Sequence, residues 1–104
     1  MIFIFDEEDL ESFEKYILVI IKGVLQALID KQIDIQDAIQ IIFSIRVSDE
    51  LYFYNVNKEI INIVDLGNEL EDIKVLHPDM LEQEIEKLYT KTIYLLNNNY
   101  NNYN

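Results

Sequence analysis

The chain of 104 residues contains no cysteine, only two glycines and only one proline. The lack of cysteine excludes disulfides, thiolate metal sites and cysteine nucleophiles, and it favours a reducing compartment, so we predict a cytoplasmic protein. The two glycines, Gly23 and Gly67, are isolated, which excludes a glycine-rich phosphate-binding loop. So few glycines and prolines also leave little room for a flexible linker, and the length predicts a single domain.

Long hydrophobic runs are also absent. The longest, from Tyr16 to Ile21, ends at Lys22 and is far shorter than the roughly 20 residues that span a bilayer. The apolar opening from Met1 to Phe5 has no basic residues before it and leads directly into four acids, so we expect no signal peptide. Half of the residues are nevertheless hydrophobic, enough for a soluble chain of this length to bury a core and fold alone.

Basic residues are scarce. Eight lysines and arginines stand against 20 aspartates and glutamates, which gives a formal net charge of −12. Because proteins bind nucleic acid chiefly by neutralising phosphates with lysine and arginine, direct nucleic-acid binding is disfavoured. The same surplus of carboxylates suits a basic protein surface. The charge therefore predicts a basic protein partner and does not indicate a reaction.

Apolar residues recur mainly at helical spacing, which predicts an all-α fold, a compact single-domain bundle of four to five helices. The first helix, Leu10 to Ile29, is apolar round most of its circumference and is expected at the centre of the core. Asp6 is expected to cap it. The last helix is expected to begin near Pro78 and to pack on the first helix through a seam at steps of three and four residues. The seam residues are Leu81, Ile85, Leu88, Thr92 and Leu95.

The middle of the chain has a less regular pattern. Asp34 and Asp37 predict a capping box at the start of a second helix that runs to about Ser44. Residues 51–56 are aromatic and β-prone, and with residues 2–5 they could form a short N-terminal strand pair. The expected bundle therefore has a possible strand pair beside its helices.

The second half of the chain returns to helical spacing. A helix is expected after Asn57, with Gly67 as its left-handed C-terminal cap, and a short helix is expected over residues 68–76. We expect the domain to occupy residues 1–96. Residues 97–104 are rich in asparagine and tyrosine and are predicted to form a low-complexity tail.

The acidic residues fall into two groups that could form partner-binding patches. The first group, within residues 6–14, is Asp6, Glu7, Glu8, Asp9, Glu11 and Glu14. The second group is Glu69, Glu71 and Asp72. The alternative interpretation is that these charges only cap helices and keep an apolar protein soluble.

Catalytic and metal-ligand motifs are not evident. His77 is the only histidine, but no partner for acid–base chemistry stands out, and its place before Pro78 is typical of a helix boundary. An EF-hand loop from Asp30 would need glycine and glutamate where Ile35 and Ile41 stand. We therefore predict no enzyme activity, no cofactor and no metal site.

Three segments resemble a known family. They are Lys22–Leu28, Ile33–Ile35 leading to Ile42–Ser44, and Leu66–Asp72, of which the last is the most specific. Through them the stretch from about Ile21 to Leu96 resembles an uncharacterised family of small bacterial helical proteins, a domain of unknown function. The resemblance implies a mainly helical fold and implies no activity, cofactor or catalytic residue. The family pattern has a proline where Ile45 stands here, so the loop after the second helix is expected to differ.

In size and charge alone, the chain also resembles acidic helical inhibitors such as immunity proteins and phage anti-defence proteins. We therefore predict a small acidic protein-binding module, an inhibitor that blocks a basic partner that handles nucleic acid. The alternative is a structural homodimer or a regulatory subunit that binds through its tyrosine and isoleucine surfaces. A membrane partner is not expected.

Overall fold

The computed structural model describes residues 9–100, and this part of the chain is all-α, with no strand. The α-helices are α1 (Leu10–Ile29), α2 (Ile35–Ile41), α3 (Ile45–Phe53), α4 (Lys58–Asn68), α5 (Leu70–Leu76) and α6 (Leu81–Asn99), and a 3₁₀ helix (Pro78–Met80) joins α5 to α6. The predicted single all-α domain is confirmed. The predicted count of four to five helices is not confirmed. The described residues form four longer helices, α1, α3, α4 and α6, and two short helices, α2 and α5, of seven residues each.

Helices α1 and α6 form an antiparallel pair. Lys31, just after α1, contacts Glu82 at the start of α6, and Glu14 near the start of α1 contacts Tyr100 just after α6. The predicted seam of α6 is confirmed. Ile85, Leu88, Thr92 and Leu95 are buried, and Leu81 is half-buried. The predicted first helix is also confirmed at its bounds, whereas its predicted cap, Asp6, lies outside the described residues.

Helix α2 begins as predicted and ends early. The Asp34 carboxylate accepts a hydrogen bond from the Asp37 N–H (2.9 Å), and the Asp37 carboxylate accepts one from the Asp34 N–H (3.1 Å), so the capping box is confirmed. The helix stops at Ile41 and not near Ser44. Beyond it the side chains of Ile42 and Phe43 are buried in the bend that leads to α3.

Helix α3 replaces the predicted strand at residues 51–56, so that prediction was wrong. The Ser44 hydroxyl accepts a hydrogen bond from the Val47 N–H (3.1 Å) and caps the helix. A strand would place Tyr52 and Phe53 on opposite faces, but both are exposed at the end of α3. Residues 2–5, the other predicted strand, lie outside the described residues.

Gly67 is not a left-handed helix cap, so this prediction was also wrong. It lies within α4 and has no positive φ. A Cβ atom at this position would overlap the ring of Phe43, so glycine is needed for the close approach of α4 to that ring. Within residues 9–100 the left-handed positions are instead Lys31 (φ 57°) and Asn55 (φ 62°), which follow α1 and α3.

The C-terminal part of the chain continues the helical pattern. The short helix predicted over residues 68–76 is observed as α5, and Pro78 opens the 3₁₀ helix that leads into α6. Helix α6 passes the predicted start of the tail at residue 97 and ends at Asn99, and Tyr100 is buried. Across residues 9–100, none of the helices has both the length and the apolar character that crossing a membrane requires.

Candidate protein-binding surface

The first predicted acidic patch, within residues 6–14, is only partly described. Three of its residues lie outside the described part of the chain: Asp6, Glu7 and Glu8. Asp9 and Glu11 are exposed at the start of α1, where carboxylates are favoured by the positive end of the helix dipole. These two residues are available to a partner, and the patch as a whole stays a prediction.

Glu14 does not belong to an outward acidic face, and its inclusion was wrong. Only 8% of the residue is exposed. The Asn57 backbone N–H donates a hydrogen bond to Oε2 of Glu14 (2.6 Å), and the Tyr100 hydroxyl donates to Oε1 (3.0 Å). The side chain therefore joins α1 to the start of α4 and the end of α6, because a buried carboxylate needs donors of this kind.

Tyr100 completes this buried joint. The Asn57 side-chain Nδ2 donates to the Tyr100 hydroxyl oxygen (3.2 Å). Burial raises the pKa of Tyr100 to about 12, and the Glu14 carboxylate adds to the rise. The hydroxyl is protonated at neutral pH, as any tyrosine is, and donates to Glu14, so this cluster holds the helices together.

The second predicted patch is fully described and points outward. Glu69, Glu71 and Asp72 are all exposed at the α4–α5 junction and in the first turn of α5. The Gln36 side chain donates a hydrogen bond of 2.5 Å to Oε1 of Glu71. This contact brings the start of α2, with its two capping-box carboxylates, beside α5.

A second contact adds further acids to the same end of the bundle. The Lys31 ammonium lies 3.3 Å from Oε1 of Glu82, so the α1–α2 turn borders the start of α6. Seven exposed acids from three parts of the chain therefore lie at this end, with Lys31 and Lys74 as the basic residues. The acids are Asp30, Asp34, Asp37, Glu71, Asp72, Asp79 and Glu82.

Three apolar side chains are exposed among these acids. Val75 is 73% exposed, Leu76 is 68% exposed and Met80 is 41% exposed. Val75 and Leu76 lie one helical turn after Glu71 and Asp72, and residues at this spacing are neighbours on a helix surface. We call the seven acids and these three apolar residues the acidic–apolar end.

The sequence interpretation missed the apolar part of this surface. A signal was present in the sequence, because the short helix predicted over residues 68–76 carries Leu70, Val75 and Leu76. The helical period places Val75 and Leu76 more than 100° round the helix from Leu70. An apolar pair on the outer side of so short a helix indicates a contact surface rather than core.

A small cleft lies between α4–α5 and α6. Its volume is about 170 Å³, and its apolar lining includes Leu66, Ile73 and Leu88. Glu69 of the second predicted patch lines the same cleft. The cleft is large enough for one apolar side chain of a partner, with a carboxylate beside it.

Groups of metal ligands are not found in this region. Among residues 9–100 no three histidine, aspartate or glutamate side chains are placed to hold a metal ion. His77 is exposed, and its backbone N–H donates to the Ile73 carbonyl (2.7 Å) where α5 ends. The predictions that the chain has no cofactor, no metal and no enzyme activity stay predictions.

A family model described as a protein of unknown function, DUF3969, matches residues 8–104. No curated protein and no solved structure matches the chain. The family assignment therefore rests on nearly the whole chain, and no relative supports the resemblance to inhibitors.

Proposed function

The chain belongs to the DUF3969 family of proteins of unknown function, and from its surface we propose that it is a small acidic protein-binding module. The observation that carries this proposal is the exposure of Val75 and Leu76 among the carboxylates of the acidic–apolar end. Protein interfaces commonly combine an apolar centre with a polar rim. The acidic–apolar end has this composition.

The apolar centre supplies binding energy. Apolar surface removed from water contributes roughly 25 cal/mol per Å² to the free energy of binding. Most of the surface of Val75 and Leu76 is in contact with water in this chain, so it can still be buried by a partner. A partner that covers both would gain about 2 kcal/mol or more from them. Exposed apolar residues rimmed by charge are typical of surfaces that bind another protein.

The acidic rim selects the partner. Seven carboxylates around the apolar centre repel an acidic protein and attract a basic one, and they speed association at low ionic strength. A protein that handles nucleic acid presents such a basic groove. We propose that the module occupies a groove of this kind and excludes the nucleic acid, which would make it an inhibitor, in a cytoplasmic setting that also stays a prediction.

The test is a binding measurement at two ionic strengths. The full chain is immobilised, its partner is captured from native cell extract, and the purified partner is then titrated at roughly 50 and 500 mM salt. We expect affinity to fall by about tenfold or more at the higher salt. Binding that does not respond to salt would contradict a carboxylate-driven interface.

Two matched pairs of variants locate the surface. Asp72→Lys and Asp49→Lys change the net charge equally, and both positions are exposed, but only Asp72 belongs to the acidic–apolar end. Leu76→Ser and Ile45→Ser form the apolar pair, at 68% and 65% exposure. We expect the variants at residues 72 and 76 to weaken binding and those at residues 49 and 45 to leave it unchanged. Equal effects within either pair would remove the acidic–apolar end from the proposal.

A charge reversal tests the first predicted patch. Glu11→Lys changes an exposed carboxylate at the start of α1, at the far end of the α1–α6 pair from Glu82. If Glu11→Lys weakens partner binding and Asp72→Lys does not, the first patch is the binding surface.

An enzyme that depends on a hard cation would instead be revealed by a rise in melting temperature with Ca²⁺, Mg²⁺ or Mn²⁺.

A further inference from the structure

The cleft between α4–α5 and α6 borders the acidic–apolar end. Ile73 lines the cleft from α5, and Leu76, which is 68% exposed, follows it by three residues. Residues at this spacing are neighbours on a helix surface, with about 5–6 Å between their Cβ atoms. The apolar lining of the cleft therefore continues onto the exposed side chain of Leu76.

The cleft and Leu76 offer two adjacent apolar contacts. The cleft has a volume of about 170 Å³, enough for one apolar side chain, and Leu76 lies about one helical turn, or roughly 5 Å, farther along α5. A partner that uses both contacts must present two apolar side chains at the same separation. An α-helix does so at positions i and i+3 or i and i+4, whereas a strand spaces the side chains of one face roughly 7 Å apart.

Two other modes of peptide recognition do not fit this surface. Residues 9–100 contain no strand, so an extended peptide finds no sheet edge to pair with in this part of the chain. Grooves that bind proline-rich peptides are lined by aromatic side chains, and none of the described residues that line the cleft is aromatic. Of these three modes, a helix laid against an apolar groove is the one that fits.

The charges beside the cleft give the partner helix its sign and its orientation. On the α5 side Glu69 and Asp72 are exposed carboxylates. On the α6 wall of the cleft Glu84 pairs with Lys87 (3.2 Å), and Lys91 adds a further positive charge. A helix whose basic residues lie over α5 therefore meets carboxylates, whereas basic residues over α6 would meet lysines.

We propose that the partner segment bound by this module is a basic amphipathic helix. One of its apolar side chains occupies the cleft, the next one on the same face covers Leu76, and its basic side chains lie over Glu69 and Asp72. This inference rests on the proposed function and adds the chemistry of the partner. Proteins also contact nucleic acid through basic helices, so a module that covers such a helix keeps it from nucleic acid.

The test uses two synthetic peptides as probes for the full chain. The first has about 16 residues, with leucines at steps of three and four on one face and lysines and alanines elsewhere. The second has the same composition in an order that gives the leucines no common face. We expect calorimetric titration to show roughly tenfold tighter binding of the first peptide, which should also gain helical circular dichroism when it binds.

A matched pair of variants locates the bound peptide. Leu66 and Ile41 are 38% and 37% exposed, but only Leu66 lines the cleft. Leu66→Ser removes apolar lining and should weaken binding of the first peptide by about fivefold or more, whereas Ile41→Ser should leave it unchanged. Amide NMR shifts of the wild-type chain give a second measurement that needs no variant. On addition of the first peptide they should be largest around Ile73 and Leu76.

Three results would overturn the amphipathic helix as the partner. They are equal affinity for the two peptides, amide shifts that lie away from Ile73 and Leu76, and equal binding of the first peptide by folded Leu66→Ser and Ile41→Ser variants. The salt dependence of the captured partner is measured separately. If that affinity responds to salt and to Asp72→Lys while the two peptides bind equally, the proposed function holds and the helix fails. If the captured partner does not respond to salt, the proposed function itself fails.

Discussion

The Tyr100 hydroxyl donates a hydrogen bond of 3.0 Å to Oε1 of Glu14, although 86 residues separate the two in sequence. The bond joins the end of α6 to the beginning of α1 and fixes the antiparallel pair at one end. Asn57 binds both residues, with its backbone N–H on Glu14 and its side-chain amide on Tyr100. Three helices therefore depend on one buried cluster.

Removing the Tyr100 hydroxyl should destabilise the fold. Tyr100→Phe leaves the buried Glu14 carboxylate with one donor fewer, and we expect the free energy of unfolding to fall by about 1–3 kcal/mol. Urea denaturation measures this change. Tyr94→Phe is the matched control, because Tyr94 is 63% exposed and the substitution should change stability by less than about 0.5 kcal/mol. Equal effects at the two positions would contradict the role of the cluster.

The same residue should make stability depend on alkaline pH. Burial raises the pKa of Tyr100 from 10.0 to about 12, so the folded chain keeps a proton that the unfolded chain loses. Its contribution to stability is complete below pH 10 and is lost as the pH rises from 10 to about 12. We expect Tyr100→Phe to remove this part of the alkaline decline, which would be at most about 3 kcal/mol.

Urea midpoints between pH 8 and 12, measured for the wild type and the variant, test the pH dependence. The absorbance of tyrosinate in the folded chain should show one tyrosine that ionises later than the exposed ones. Parallel stability curves for the two proteins, or no late-ionising tyrosine, would show that burial does not hold the Tyr100 proton.

The two glycines should respond in opposite directions to alanine. In Gly67→Ala the new methyl group overlaps the Phe43 ring, and we expect a loss of about 1–3 kcal/mol or more from overpacking. In Gly23→Ala the methyl group meets no atom within 4 Å, and we expect a gain of about 0.5–1 kcal/mol from helix propensity. Thermal unfolding at low protein concentration measures both, and a stabilising Gly67→Ala would contradict the close approach.

The left-handed residue after α1 is a site for stabilisation. Lys31 has φ 57°, a conformation that costs a residue with a Cβ about 1 kcal/mol and costs glycine little. Lys31→Gly should therefore raise the free energy of unfolding by up to about 1 kcal/mol. The exposed Lys31–Glu82 pair, which it removes, contributes less than that.

Asp30→Gly is the matched control for this substitution. Asp30 has φ −80°, which any residue adopts, so glycine there adds freedom to the unfolded chain, removes the exposed hydrogen bonds that the Asp30 carboxylate accepts from the Gln26 side chain (3.1 Å), and should lower stability. Urea denaturation compares the two variants at adjacent, exposed positions, each of which loses one exposed side-chain contact, so opposite signs of the change report the backbone conformation. A loss of stability in both variants would show that the left-handed conformation carries no cost.

The long helices were predictable because their periodicity is a local property. The bounds of α1 and the seam of α6 follow from apolar residues at steps of three and four. Helix α3 was missed because its residues have aromatic and β-branched side chains that suit either helix or strand, and the cap at Ser44 decides for helix. The bend at Phe43 could not be predicted, since it depends on the contact with Gly67.

The candidate surfaces were only partly predictable. That Glu71 and Asp72 face water follows from their charge, and the structure adds their proximity to α2 through Gln36. The burial of Glu14 was not predictable, because its donors come from Asn57 and Tyr100, which are 43 and 86 residues away.

The sequence by itself determined the all-α class, the acidic character, the bounds of α1, the apolar seam of α6 and the family, since each of these depends on composition, on spacing within a few helical turns, or on local motifs. Tertiary structure alone decided which carboxylate is buried and which acids gather at one end. The physical reason is that burial and proximity are properties of contacts between distant segments. A carboxylate on a helix has the same local pattern whether water or a tyrosine hydroxyl completes its hydrogen bonds.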